Sequence, residues 1–137
     1  MKVLVIDAQG GGIGRQIIAG IKETIPDTVI TAVGTNSAAT ANMLKAGADQ
    51  AATGENAVVT ACRSADVIIG PIGIVIADSM LGEVTPKMAE AVGQSQAERI
   101  LIPFQNCGSV IVGVSEKNTG RLVAEAIAQL QNVLLQK

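Results

Sequence analysis

The sequence predicts an α/β fold in three layers, in which helices cover both faces of a doubly wound, mostly parallel sheet. Apolar strand segments alternate with amphipathic helical segments, and the core must be aliphatic, because the 137 residues include one Phe and no Trp or Tyr. Strands rich in Ile and Val are typical of parallel sheets that are buried on both faces. A glycine cluster, Gly10-Gly11-Gly12-Ile13-Gly14, joins the first strand to the first helix. Together these features predict one Rossmann-like domain over residues 1–137.

The first strand and the first helix have the clearest pattern. Residues 2–6 form an almost continuous apolar run, which predicts a buried strand. After the glycine cluster, isoleucine recurs every four residues from Ile13 to Ile25. This spacing places the isoleucines on one face of a helix, and Pro26 predicts its end.

Four more strands and three helices follow in alternation. The strands are expected at residues 28–33, 50–52, 66–70 and 99–103, and the helices are expected to end near residues 46, 64 and 92. Ser37 is the expected N-cap of the second helix, and Gly47 marks its end. Thr85 and Pro86 fit the N-cap and first position of the fourth helix.

A sixth strand is expected at residues 109–114, before a long C-terminal helix that begins near Thr119. Only residues 104–108 separate this strand from the fifth, whereas a parallel crossover needs a dozen or more residues. The sixth strand should therefore be antiparallel, at the edge of the sheet, or lie elsewhere. We predict the strand order 3-2-1-4-5 with this reversed edge strand, and 2-1-3-4-5 is the alternative.

The glycine cluster matches known phosphate-binding patterns only in part. Gly10 and Gly12 fit the first two glycines of G-x-G-x-x-G, but Arg15 stands in the third place. Glycine lets backbone N–H groups at a helix N-terminus approach an anion closely. A tight strand-to-helix turn also uses glycine, yet four glycines in five residues exceed what a turn demands. The cluster therefore predicts an anion site, most simply one for a nucleotide.

In a doubly wound sheet, ligands bind outside the carboxyl ends of the strands, where the strand order reverses. The residues expected to bind the ligand are Gln9, Gly10, Gly11, Gly12, Ile13, Gly14, Thr35, Asn36, Ser37, Gly70 and Pro71. NADP or NAD is the first candidate. Thr35, Asn36 and Ser37 stand where a NAD site normally offers an acid to the ribose, and an uncharged tip tolerates a 2′-phosphate better than an acid would. Ser37 is equally well explained as a helix cap.

Five residues are candidates for catalysis, namely Asp7, Ser79, Glu83, Lys87 and Cys107. Asp7, beside the glycine cluster, is a candidate magnesium ligand or phosphate acceptor. Ser79, Glu83 or Lys87 would have to transfer protons in a short-chain oxidoreductase, because the catalytic Tyr of that class is missing. Glu83 is equally compatible with a solvated acid near a helix start. Cys107 has no histidine to activate it, which favours an inert thiol, so enzyme status is left open.

The apolar turn Ile72–Ile76 predicts a homodimer interface, because a small domain has little interior left to bury it. A net charge of −2 and the lack of aromatic residues argue against nucleic acid as a partner. The longest apolar run, residues 67–77, is far shorter than the ~20 residues of a membrane span. With no apolar signal-peptide core after Met1, a cytoplasmic protein is expected, and the lack of histidine makes a zinc site improbable.

Three functions compete on these residues. The first is a nucleotide-binding domain, with NADP or NAD on the glycine cluster and with or without a reaction. The second is a regulatory or sensor module that dimerises and binds a small phosphorylated or carboxylate metabolite. The third is a phosphotransfer enzyme that uses Asp7 and magnesium.

Several short segments of the chain together form a specific sequence pattern. They are V-I-D-A-Q-G-G-G-I-G at residues 5–14, G-T-N at 34–36, A-T-G-E-N at 52–56, G-P-I-G-I at 70–74, D-S-M-L-G-E at 78–83 and I-P at 102–103. On these segments the chain resembles an uncharacterised bacterial family known only as a domain of unknown function. That family commonly has Gly at the position of Ala8 and Asn at that of Asp78. The resemblance implies a Rossmann-like fold and brings no reaction with it.

Overall fold

The computed structural model describes residues 1–104, 108–115 and 118–136, which alternate between strands and helices. The elements are β1 (Val3–Asp7), α1 (Gly12–Thr24), β2 (Ile30–Gly34), α2 (Ser37–Lys45), β3 (Gln50–Thr53), α3 (Glu55–Ser64), β4 (Val67–Pro71), a 3-10 turn (Ile72–Val75), α4 (Pro86–Gln94), β5 (Glu98–Ile102) and α5 (Thr119–Leu135).

The five strands form one sheet in the order β3-β2-β1-β4-β5, and all neighbouring strands are parallel. The predicted order is confirmed, and the fold is Rossmann-like. β1 and β2 end together, with Asp7 opposite Gly34. Because all carboxyl ends lie at the same edge, the loops that follow β1, β2 and β4 meet there. Among the helices that the structure describes, none has the length and apolar character that crossing a bilayer requires.

The core consists of two aliphatic layers, one on each face of the sheet. Val3 and Val5 of β1 belong to the layer under α1, α2 and α5, whereas Leu4 and Ile6 belong to the layer under α3 and α4. This alternation follows from the two-residue period of a strand. The expected isoleucine face of α1 is confirmed, because Ile17 and its neighbours on that face are fully buried.

The predicted sixth strand is wrong. Residues 109–114 form turns and irregular backbone, and Gly108 and Gly113 take left-handed φ values of 83° and 89°. Val110 and Val112 are 87% and 94% exposed, so the segment has no surface on which to bury an apolar strand face. An alternation of valines favours a strand only where it can pack against other residues. Within the described part of the chain, β5 is therefore the edge of the sheet.

One smaller expectation needs correction. Asn36, and not Ser37, caps α2, because its side chain accepts a hydrogen bond from the Ala39 N–H at 2.9 Å. Ser37 is exposed as the first residue of that helix.

The apolar turn is partly buried. Ile74 is 1% exposed and packs in the layer under α4, whereas Ile72, Val75 and Ile76 are partly exposed. The homodimer through this turn stays a prediction.

Candidate functional site

A pocket of about 280 Å³ opens at the carboxyl ends of β1 and β4. One wall is the loop between β1 and α1, which contains the glycine cluster. The lining residues are Asp7, Ala8, Gln9, Gly10, Gly11, Gly12, Ile13, Gln16, Pro71, Met80, Phe104 and Thr119. The pocket therefore lies where the strand order reverses, which is where doubly wound sheets bind ligands.

Two glycines of the cluster are required by packing. Gly11 has a φ of +72°, and a Cβ atom there would lie 2.9 Å from the backbone Cα of Ala39 in α2. A Cβ atom on Gly14 would lie 3.0 Å from the Cβ of Asp7 and still closer to the side chain of Met43. Gly11 thus lets the loop pack against α2, and Gly14 lets α1 approach β1.

The other two glycines are not explained by packing. A Cβ atom on Gly10 or Gly12 would meet nothing within 4 Å, and neither residue has a positive φ. Both line the pocket. Their backbone N–H groups have no hydrogen-bond acceptor in the part of the chain that the structure describes. Because glycine has no side chain, the pocket wall at these positions consists of backbone, and no side chain covers its N–H groups.

Two helix N-termini also meet at the pocket. α1 begins at Gly12 and α5 begins at Thr119, and both residues line the pocket. Neither helix has an acidic residue in its first turn. The positive ends of two helix dipoles therefore favour negative charge in this space.

Asp7 holds the loop from beneath. It is 4% exposed; its Oδ1 accepts a hydrogen bond from the Ala8 N–H at 2.8 Å, and its Oδ2 accepts one from the Gly14 N–H at 2.7 Å. Burial raises the pKa of Asp7; backbone hydrogen bonds oppose this, and the charge of Glu83 adds to it. With both oxygens bound to its own loop, Asp7 has the geometry of a structural tether. Among the described residues, no group of three or more His, Cys, Asp or Glu side chains is placed to hold a metal.

Glu83 joins three loops at the same edge of the sheet. Its Oε1 accepts hydrogen bonds from the Gln9 N–H, the Thr35 hydroxyl and the Asn36 side-chain amide, each at 2.8 Å. Asn36 also donates to the carbonyl oxygen of Gln9 at 2.9 Å. Desolvation by itself would raise the pKa of Glu83, but the three hydrogen bonds outweigh it and hold the pKa below its ordinary value.

Glu83 ends a tight loop, residues 78–83, which we call the strap. Asp78, Met80 and Leu81 have left-handed φ values of 64°, 55° and 59°, a conformation that costs about 1–2 kcal/mol for each non-glycine residue. The buried Ser79 hydroxyl donates to the Gly73 carbonyl oxygen and holds the base of the strap. Met80 then lines the pocket, and Leu81 is 97% exposed. The strap thus forms part of the pocket wall and carries Glu83 across to the tip of β2.

The remaining predicted residues are spread over the molecule. Pro71 lines the pocket, but Gly70 is needed for packing, since its Cβ would lie 2.4 Å from the Ile6 carbonyl oxygen. Thr35 and Asn36 contact Glu83 and do not line the pocket. Lys87 is exposed beside a groove between α3 and α4. Cys107 lies outside the described residues.

Five lining residues were missed by sequence reasoning, namely Ala8, Gln16, Met80, Phe104 and Thr119. Three of them carry a signal that points to the site. Ala8 lies between Asp7 and Gln9, which were both expected there. Gln16 lies one helical turn after Gly12, on the same side of α1. Thr119 opens the helix that follows β5, at the edge of the sheet where ligands bind. Met80 and Phe104 carry no such signal, because apolar residues near strand ends usually belong to the core.

No curated protein matches the chain. Among solved structures, the FMN-dependent UbiX-like decarboxylase from Escherichia coli O157:H7, described as dodecameric, is similar over 98% of this chain and 94% of its own. The identity is 14% and the TM-score is 0.47. A family model matches residues 2–135. The chain therefore belongs to the family described as a domain of unknown function, DUF3842.

Proposed function

We propose that this protein binds a small ligand with a single phosphate or carboxylate group in the pocket beside the glycine cluster. One observation carries the proposal. Gly10 and Gly12 have space for a side chain, yet both are glycine and both line the pocket. A ligand that contacts the backbone N–H groups of the loop explains the missing side chains, whereas packing within the protein does not.

The size and charge of the pocket favour a small ligand over NADP or NAD. A volume of about 280 Å³ lies at the lower end of small-molecule sites, which span roughly 300–1,000 Å³. No Lys or Arg is present among the described lining residues, so helix N-termini and backbone N–H groups would have to stabilise the anion. This suits one anionic group better than a pyrophosphate. A mononucleotide would place only its phosphate here.

The same features favour a regulatory binding protein over an enzyme. Asp7 lines the pocket, but both its carboxylate oxygens accept hydrogen bonds from the loop backbone. The polar side chains beside it, Gln9, Gln16 and Thr119, are poor acids and bases. The tether geometry of Asp7 gives no support to a phosphoaspartate or a magnesium ligand. Of the three hypotheses, the sensor is the one that these contacts support best.

Calorimetry with inorganic phosphate, AMP, NADP and NAD tests the proposal. Gly12→Val and Gly10→Val would add a side chain at the pocket, with a Cβ atom that has nothing else within 4 Å. We expect both variants to fold and to bind inorganic phosphate at least about tenfold more weakly than the unmodified chain, a loss of about 1.4 kcal/mol. Gly93→Val is the matched control, because Gly93 also has open space around it but lies in α4, away from the pocket.

Two results would overturn the proposal. One is that neither inorganic phosphate nor any of the nucleotides binds the unmodified chain. The other is that Gly12→Val binds phosphate as tightly as Gly93→Val does. A simple spectrum gives an independent check: because the chain has no Trp or Tyr, a co-purified nucleotide would dominate its ultraviolet absorbance.

A further inference from the structure

The side of the crevice that faces β2 is filled by the protein itself. In a sheet of this order the crevice lies between β1 and β4, and the adenosine half of a dinucleotide extends from it past the tip of β1 to the tip of β2. Here the loop backbone at Gly11 packs against Ala39 of α2. The Asn42 side chain donates to the Gly10 carbonyl oxygen at 2.7 Å, which holds the loop against that helix. This packing leaves the pocket on the β4 side of the loop.

Glu83 accepts hydrogen bonds from the polar groups that remain at the tip of β2. The Thr35 hydroxyl, the Asn36 amide and the Gln9 N–H would otherwise be available to a ligand, and all three donate to one oxygen of Glu83. The carboxylate comes from the strap, far away in the sequence. It therefore places a negative charge at a tip whose own residues are uncharged, and this charge opposes a 2′-phosphate there.

The negative charge of Glu83 affects which ligands can reach the tip of β2. Three hydrogen bonds stabilise the ionised form, so the group is a carboxylate at neutral pH. A phosphate brought to the tip of β2 would lie beside this carboxylate and would lose the three donors that already bind it. Both effects oppose a ligand that spans the loop with a second anionic group.

We infer that Glu83 determines specificity: it closes the β2 side of the crevice and restricts the site to ligands with one anionic group on the β4 side. This inference rests on the proposed function. Glu83 does not line the pocket and touches no part of a ligand held there. It acts through Gln9, Thr35 and Asn36, by occupying the groups that would recognise the rest of a nucleotide.

Calorimetry on Glu83→Ala and Glu83→Gln, with inorganic phosphate, AMP and NADP as probes, tests the inference. Glu23→Ala is the control, because it removes an equal charge from an exposed position of α1. We expect the unmodified chain and Glu23→Ala to bind AMP and NADP no more tightly than phosphate. Glu83→Ala should bind AMP at least about tenfold more tightly than the unmodified chain does. Glu83→Gln keeps the size and loses the charge, so it should gain a smaller amount.

The outcomes separate the two claims. If the unmodified chain binds AMP or NADP as tightly as Glu83→Ala, the inference is overturned while phosphate binding on the glycine loop can stand. If no probe binds the unmodified chain but AMP binds Glu83→Ala, the proposed function is overturned, while the closure of the β2 side by Glu83 is supported. If no probe binds any variant, both are overturned. If circular dichroism shows that Glu83→Ala does not fold, the comparison uses Glu83→Gln. The inference is then overturned if Glu83→Gln binds AMP no more tightly than Glu23→Ala does.

Discussion

Alanine substitutions at the four clustered glycines should separate those required by packing from those that serve a ligand. Gly11→Ala places an alanine in a left-handed conformation, which costs about 1–2 kcal/mol of stability. It also places a Cβ atom 2.9 Å from the Ala39 backbone, which costs about 1–3 kcal/mol more. Gly14→Ala crowds Asp7 and Met43, although alanine regains part of this cost within the helix, which leaves about 1–2 kcal/mol. Gly10→Ala and Gly12→Ala meet open space and should change the free energy of unfolding by less than about 0.5 kcal/mol or increase it slightly.

Urea and thermal unfolding followed by far-ultraviolet circular dichroism measure these differences, because the chain has no Trp or Tyr for fluorescence. For a domain of this size, 1 kcal/mol corresponds to about 3–4 °C in Tm. Gly11→Ala should therefore lower Tm by roughly 6–20 °C, and Gly12→Ala should leave it within about 2 °C. If Gly12→Ala and Gly11→Ala lower Tm equally, packing accounts for the whole cluster. The principal support for a ligand would then be gone.

Three further predictions concern single buried groups. Because burial raises the pKa of Asp7 in the folded state, the native protein binds this proton more tightly than the unfolded chain does, and the free energy of unfolding falls as pH rises from the ordinary carboxyl range toward the raised pKa. In urea unfolding across a pH series, Asp7→Asn should remove that fall. The same dependence of the free energy of unfolding on pH in both proteins would contradict the prediction. Burial raises the pKa of the Cys62 thiol to about 11. In a Cys107→Ser variant, a disulfide reagent at neutral pH should therefore label Cys62 only after denaturant is added. Rapid labelling of the native protein would contradict the burial of Cys62. Ile17 is fully buried against β1 and α5, so Ile17→Ala should reduce the free energy of unfolding by about 2–5 kcal/mol, and a loss below about 1 kcal/mol would mean that this core layer is loosely packed.

The helical faces could be predicted because they depend on local patterns, whereas the strand order was inferred from the rule for doubly wound sheets. The four-residue spacing of isoleucine determines which face of α1 is buried, whatever the rest of the chain does. Residues 109–114 have a similar local pattern, with valines at alternate positions, yet they form no strand. A strand needs a neighbour that offers hydrogen bonds and an apolar surface, and the segment itself contains no information about whether one is present.

The candidate site was predicted in place but not in detail. Gly10, Gly11, Gly12 and Gly14 are the same residue type, and only the atoms near each Cα distinguish Gly11 and Gly14, which packing requires, from Gly10 and Gly12, which packing does not explain. The position of Glu83 was equally hidden, because its partners lie 47, 48 and 74 residues away along the chain. Contacts over such separations depend on the path of the strap, whose left-handed backbone at non-glycine residues no simple propensity predicts.

Asp7 and Glu83 together explain what kind of anion the loop can accept. Each carboxylate already binds backbone N–H groups of the loop, at Ala8 and Gly14 for Asp7 and at Gln9 for Glu83. The loop therefore binds two carboxylates of its own, whereas the N–H groups of Gly10 and Gly12 have no acceptor among the described residues. These internal charges repel a ligand anion, while the N-termini of α1 and α5 attract it. A ligand with one anionic group can be stabilised by that balance, whereas a second anionic group would meet the same two carboxylates again. The pocket should therefore prefer a carboxylate or a phosphate monoester to a pyrophosphate.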